Sequence, residues 1–204
     1  VNVLRTKSLD FKRSMIINMD IYQIIIKEIE NVLLSVDRQE IKVLKQEILM
    51  ARRIYVAGAG RSGLVAGSFA MRLCQLGLCA FLVGEVAATA IGEGDLLILI
   101  SGSGNTESIV RFSQKAKQEK TKAALLTVSG EGRAAANCSL TIKMPGTCEK
   151  DAADRNTGME GSRQPMGALF EQSVLLLLDG LVLELMESLQ ETSKTMMRRH
   201  ANLE

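Results

Sequence analysis

Ser101, Ser103 and Thr106 stand around Gly102 and Gly104 in the stretch Ile100-Ser-Gly-Ser-Gly-Asn-Thr106, directly behind the apolar run Leu96–Ile100. Hydroxyls at that density donate hydrogen bonds to an anion, and glycine lets a ligand approach the backbone. A helix following at Glu107–Lys117 adds unpaired N–H groups and the positive end of its dipole. The ligand that fits is a phosphate. An ordinary strand-to-helix turn would need only Asn105 or Thr106 as its cap, fewer polar groups than this loop carries. A second glycine loop, Gly58-Ala-Gly-Arg-Ser-Gly63, follows the apolar stretch Arg53–Ala57 and contributes Gly60, Arg61 and Ser62. Arg61 reads either as a partner of the phosphate or as a surface ion pair. The loop also matches the dinucleotide fingerprint, with Glu85 about where a ribose-binding acid would stand, so an NAD site is an alternative. The hydroxyl-rich third-strand loop and the lack of a second substrate domain favour one small phosphate ester.

The elements that must position these loops follow from periodicity. Short apolar runs at Arg53–Ala57, Cys79–Val83, Asp95–Ile100, Lys122–Val128 and Leu140–Lys143 predict five strands. Amphipathic stretches at Ser62–Gly77 and 105–118, and a short one at 131–137, alternate with them. That alternation predicts an α/β fold with a five-stranded parallel sheet, doubly wound, of order 2-1-3-4-5. Both glycine loops then converge at the switch point between the first and third strands. Asp20–Val36 and Asp37–Arg52 predict an N-terminal helical hairpin, and Met166–Leu189 a long C-terminal helix that is apolar nearly all round. Such a helix is buried, either centrally or between subunits, and a homo-oligomer is expected. The domain plan is an extension over 1–19, one domain over 20–190 and a tail over 191–204.

Hydrophobic residues make up 47% of the 204 residues and aromatic ones 3%, and the net charge is +2. There is no basic patch or stacking platform for nucleic acid, and no apolar run long enough to span a bilayer. Cys74, Cys79, Cys138 and Cys148 form no CxxC pair and read as free thiols in a cytoplasmic protein. No metal and no cofactor are expected. Residues 145–164 form a long polar loop, read as a lid.

Two titratable residues remain. Glu171 opens the long apolar helix beside Leu169 and Phe170, where partial desolvation suits a proton-transferring carboxylate; a capping or solvated glutamate is the other reading. His200 is the lone histidine, either an exposed tail residue or a proton carrier reaching into a site, its own or a neighbour's.

The pair Val56–Gly63 and Ile100–Thr106 resembles the sugar isomerase, or SIS, domain, and the resemblance spans residues 20 to 190. Within that superfamily, Gln164-Pro-Met-Gly-Ala-Leu-Phe-Glu-Gln-Ser173 and the closing Arg199-His-Ala-Asn-Leu-Glu204 are similar to the 6-phospho-3-hexuloisomerase family. The resemblance implies a three-layer α/β sandwich, commonly a tetramer. It implies interconversion of 3-hexulose 6-phosphate and fructose 6-phosphate in the ribulose monophosphate route of formaldehyde fixation. It also implies Glu171 as the base and strengthens the role of His200. SIS domains also serve as phosphosugar sensors without catalysis, which leaves a binding module as a second expectation.

Overall fold

The computed structural model describes residues 20–145 and 162–203. The expected extension over 1–19, Cys148 and most of the expected lid lie outside the described residues. Five strands, β1 (Ile54–Gly58), β2 (Ala80–Leu82), β3 (Leu96–Ile100), β4 (Lys122–Thr127) and β5 (Leu140–Lys143), pair in parallel in the order β2-β1-β3-β4-β5. The helices are α1 (Ile21–Ser35), α2 (Arg38–Met50), α3 (Arg61–Gln75), α4 (Glu107–Gln118), α5 (Ala168–Leu189) and α6 (Ser193–Met197).

Strand side chains alternate between two faces, and both faces are covered, so the strands read as continuous apolar runs. Ile54, Val56, Leu96, Ile98, Ile100, Leu126 and Ile142 pack under α1, α2, α3 and α5. Tyr55, Ala57, Leu97, Leu99 and Leu125 pack under α4. The result is the expected three-layer α/β sandwich. Gly58 pairs in register with Ile100, so the loops that follow β1 and β3 leave the sheet side by side at its carboxyl edge.

Local signals account for the element ends. The Gly77 N–H donates to the Cys74 carbonyl at 2.9 Å and the Leu78 N–H to that of Leu73 at 3.0 Å, the Schellman pattern that closes α3. Asp95, buried at the start of β3, accepts from Arg52 Nε and Arg53 Nε at 3.1 Å each and from the Gly92 amide at 2.9 Å. This ties the loop before β3 to the end of α2.

Three sequence expectations change in detail. The helix expected at 131–137 is a single 3-10 turn, Ala135–Asn137. The long C-terminal helix starts at Ala168, with Gly167 as its N-cap, because Met166 has a left-handed φ of +51°. The tail expected over 191–204 holds a short helix, α6, capped by Thr192. In the single chain, Leu176 and Leu183 of α5 are exposed on one face. No helix among the described residues is long and apolar enough to cross a membrane.

Candidate active site

Ser101, Ser103 and Ser62 are buried at the carboxyl edge of the sheet. With Ala59, Ile100, Gly102, Thr106, Met166, Gly167, Phe170 and Glu171 they line a cavity of about 230 Å³. The floor is held from below. The Gly102 carbonyl accepts from the Val128 amide at 3.0 Å and from Thr127 Oγ1 at 2.9 Å. The Gly104 amide donates to the Ser101 carbonyl at 3.1 Å. Thr106 is the N-cap of α4, yet its hydroxyl makes no cap bond; it stands 3.4 Å from Ser101 Oγ. Among the described residues, no backbone carbonyl accepts from the amides of Gly102, Ser103, Arg61 or Ser62. Two helix N-termini, hydroxyls and free amides thus face one small space, the arrangement that holds a phosphate. At Gly58 a Cβ would lie 2.4 Å from the Ser62 carbonyl, so only glycine lets α3 start so close to the end of β1.

Glu171 forms the opposite wall. Leu169 and Phe170 are buried in the core and anchor the first turn of α5, while the Gly167 carbonyl accepts the Glu171 amide at 3.0 Å. The Glu171 side chain is 15% exposed and accepts from Arg61 Nε. The carboxylate is thus largely withdrawn from solvent, with Phe170 and Met166 lining the same cavity, and its polar neighbour is a guanidinium, an ion pair being one of the two readings the sequence left for Arg61.

The SIS domain matches residues 47–176 of this chain, a span that holds β1 through the first turns of α5. The chain belongs to the SIS domain family. A 3-hexulose-6-phosphate isomerase of Bacillus subtilis is 42% identical over 180 residues, 88% of this chain and 95% of that protein. A 3-hexulose-6-phosphate isomerase of Mycobacterium gastri is 33% identical over 87% of this chain and 86% of that one. The crystal structure of a hypothetical protein from Methanococcus jannaschii, from which a function of 3-hexulose-6-phosphate isomerase has been inferred, is 31% identical. It superposes with a TM-score of 0.77 over 90% of this chain and 98% of that one.

In this SIS domain the fold unites six of the sequence-expected residues in one cavity: Ser62, Ser101, Gly102, Ser103, Thr106 and Glu171. Others stand behind it. Asn105 Oδ1 accepts the Arg133 amide at 2.8 Å, so its side chain ties the β3 loop to the β4 loop. Gly104 packs against Gly132, and Gly60 is the N-cap of α3. Arg61 engages Glu171. His200 lies elsewhere, exposed, in a groove of about 560 Å³ between α3, α5 and α6, with Nδ1 2.9 Å from the Ala201 carbonyl. Glu85, the acid an NAD site would use, lines a separate depression with Tyr55, Thr89 and Lys115. Sequence reasoning missed Met166 and Gly167, because the turn that carries them to the cavity depends on a left-handed methionine. No group of three or more His, Cys, Asp or Glu among the described residues could hold a metal ion.

Proposed function

We propose that this chain is a 3-hexulose-6-phosphate isomerase, moving the carbonyl of a hexulose 6-phosphate between C3 and C2 to give fructose 6-phosphate. The observation that carries the reading is that Glu171 shares one small cavity with the hydroxyls of Ser62, Ser101, Ser103 and Thr106. The hydroxyls and the Gly102 amide take the phosphate. Glu171 removes the C2 proton of the hexulose, leaving a 2,3-enediol, and returns a proton to C3. The hydroxyl proton on O2 moves to O3 in the same exchange, so atoms and charge balance. Arg61 leaves Glu171 when the anion arrives and adds its guanidinium to the phosphate.

His200 assists the hydroxyl transfer from a neighbouring copy. Its own groove is lined by Leu176, Leu183 and Met197, all exposed, and a homo-oligomer, expected to be a tetramer, buries that apolar surface. The reaction belongs to the ribulose monophosphate route in the cytoplasm and calls for no metal or cofactor among the residues named.

A coupled assay tests the reading. A separate synthase makes the hexulose phosphate in place from ribulose 5-phosphate and formaldehyde, and fructose 6-phosphate is followed. Product that depends on this chain is the expected result. Tight phosphosugar binding without product would replace the isomerase with a regulatory phosphosugar-binding module.

A further inference from the structure

Glu28 sits in the middle of α1, distant in sequence from every loop of the cavity. Its carboxylate collects three hydrogen bonds from three consecutive residues. Ser162 Oγ donates to Oε2 at 2.7 Å, the Arg163 amide to Oε1 at 2.9 Å and Gln164 Nε2 to Oε2 at 2.9 Å. Ser162 Oγ in turn accepts the Gln164 amide at 3.0 Å. Both carboxylate oxygens are thus used on one short stretch of backbone, unlike the single-point ion pairs on the surface of the same helix, such as Lys27–Glu30. Burial acts to raise the Glu28 carboxyl, and these three bonds outweigh it, holding the group below its ordinary range.

The stretch leads straight into the cavity wall. Pro165 follows Gln164, then Met166 in its left-handed conformation, then Gly167 as the N-cap of α5. Met166 and Gly167 line the cavity, and a Cβ on Gly167 would stand 3.5 Å from Glu171 Oε1. A non-glycine residue at positive φ costs on the order of 1 kcal/mol and persists only where its surroundings enforce it. The ends of this turn are enforced by Leu169 and Phe170 in the core on one side and by Glu28 on the other.

We propose that Glu28 is a positioning residue: by clamping Ser162, Arg163 and Gln164 to α1 it holds the 165–167 turn in place, and with it the wall of the cavity that presents Glu171. The effect on rate rests on the isomerase reading above; the clamp itself does not.

The test compares Glu28→Ala and Glu28→Gln with Val32→Ala, a cavity-forming change in the same helix at a buried core position. Amide hydrogen exchange over residues 162–171 of Glu28→Ala is expected to quicken by about tenfold or more, with α2 and β4 unchanged. In the coupled assay kcat is expected to fall by about ten- to a hundredfold with KM within about threefold, the scale on which supporting shells act. Glu28→Gln keeps an acceptor for the Arg163 amide and recovers part of the rate. Val32→Ala lowers Tm but keeps kcat. Wild-type exchange at 162–171 in Glu28→Ala, or a kcat within twofold of wild type, overturns the proposal. If the wild type itself forms no product, the isomerase reading falls, and the exchange pattern still decides for or against the clamp.

Discussion

Arg61 Nε donates to the Glu171 carboxylate, joining the first residue of α3 to the first turns of α5 across 110 positions of sequence. Glu171 lines the cavity and Arg61 reaches it from outside the lining, with the Arg61 side chain 61% exposed. A phosphate offers the exposed guanidinium a doubly charged, bidentate partner in place of the single carboxylate. Arg61→Gln is accordingly expected to raise KM for the phosphosugar by about tenfold, and to weaken inhibition by inorganic phosphate equally, with kcat changed by less than about threefold. Steady-state kinetics with phosphate as competitor read this directly. A loss confined to kcat would instead assign Arg61 to holding Glu171.

Glu171→Gln keeps the size of the side chain and its reach to Arg61 while removing the base. Turnover is expected to fall by about 10²-fold or more, the usual contribution of a general base, with fructose 6-phosphate affinity within about threefold. Calorimetric titration beside the coupled assay separates the two quantities. Near wild-type turnover would take the proton transfer away from Glu171.

Much of this arrangement was legible in the sequence, for physical reasons. Buried parallel strands are apolar on both faces, so Leu96–Ile100 announces β3, and Ser101 to Thr106 must then sit at its carboxyl end beside Gly58 and its loop. Periodicity speaks only for regular elements, and it failed where the chain is irregular. Nothing in Gln164-Pro165-Met166-Gly167 signals that Met166 adopts φ +51°. Asn105 has a polar side chain that suits a phosphate equally well as the Arg133 amide it meets. The pairing of Glu28 with residues 162–164 spans more than 130 positions and leaves no local trace.

Gly132 and Gly104 touch backbone to backbone. A Cβ on Gly132 would lie 2.6 Å from the Gly104 Cα and 2.7 Å from the Ser103 carbonyl oxygen, with no flexible side chain to yield. Gly132→Ala is expected to push the β3 loop and to cost roughly 1–3 kcal/mol of stability, as overpacking does. The same displacement moves the Ser103 hydroxyl, so phosphate affinity should fall by about tenfold. Thermal melts and phosphate titration check both, and unchanged affinity would mean that the β4 loop does not brace the site.

Asp95 sets an acid limit. Burial acts to raise its carboxyl, but hydrogen bonds from Arg53, Arg52 and the Gly92 amide outweigh this and hold it below the ordinary 3.8. A carboxyl depressed by folding contributes stability that is complete above its unfolded value and is lost as pH falls through the folded one. Asp95→Asn is expected to lower stability at pH 7 by about 2–3 kcal/mol, the scale of charged hydrogen bonds left unmade. The gap to wild type should stay constant from pH 7 to pH 5 and narrow below 3.8. Melting curves of both proteins across that range give the answer, and a gap that does not narrow would remove Asp95 from the acid response.

His200 and Glu171 lie on different surfaces of one chain, His200 in the groove between α3, α5 and α6 and Glu171 in the cavity wall. If both serve one reaction, the histidine must come from a second copy. Mixing then discriminates, because inactive variants complement only when a site draws on two subunits. Glu171→Gln and His200→Asn, each expected to be impaired alone, should regain about a quarter of wild-type activity when refolded or co-expressed as an equal mixture, the fraction of sites that receive both intact residues. Arg199 secures the tail that carries the histidine. Its guanidinium donates to the Gln75 carbonyl at 3.0 Å and to Glu191 Oε1 at 2.8 Å. Arg199→Ala should therefore mimic His200→Asn in the mixture while leaving the Glu171 cavity intact, as judged by phosphate binding. No recovery in the mixed oligomer, with His200→Asn impaired alone, would place the histidine in its own subunit's site. Full activity of His200→Asn would remove it from the reaction.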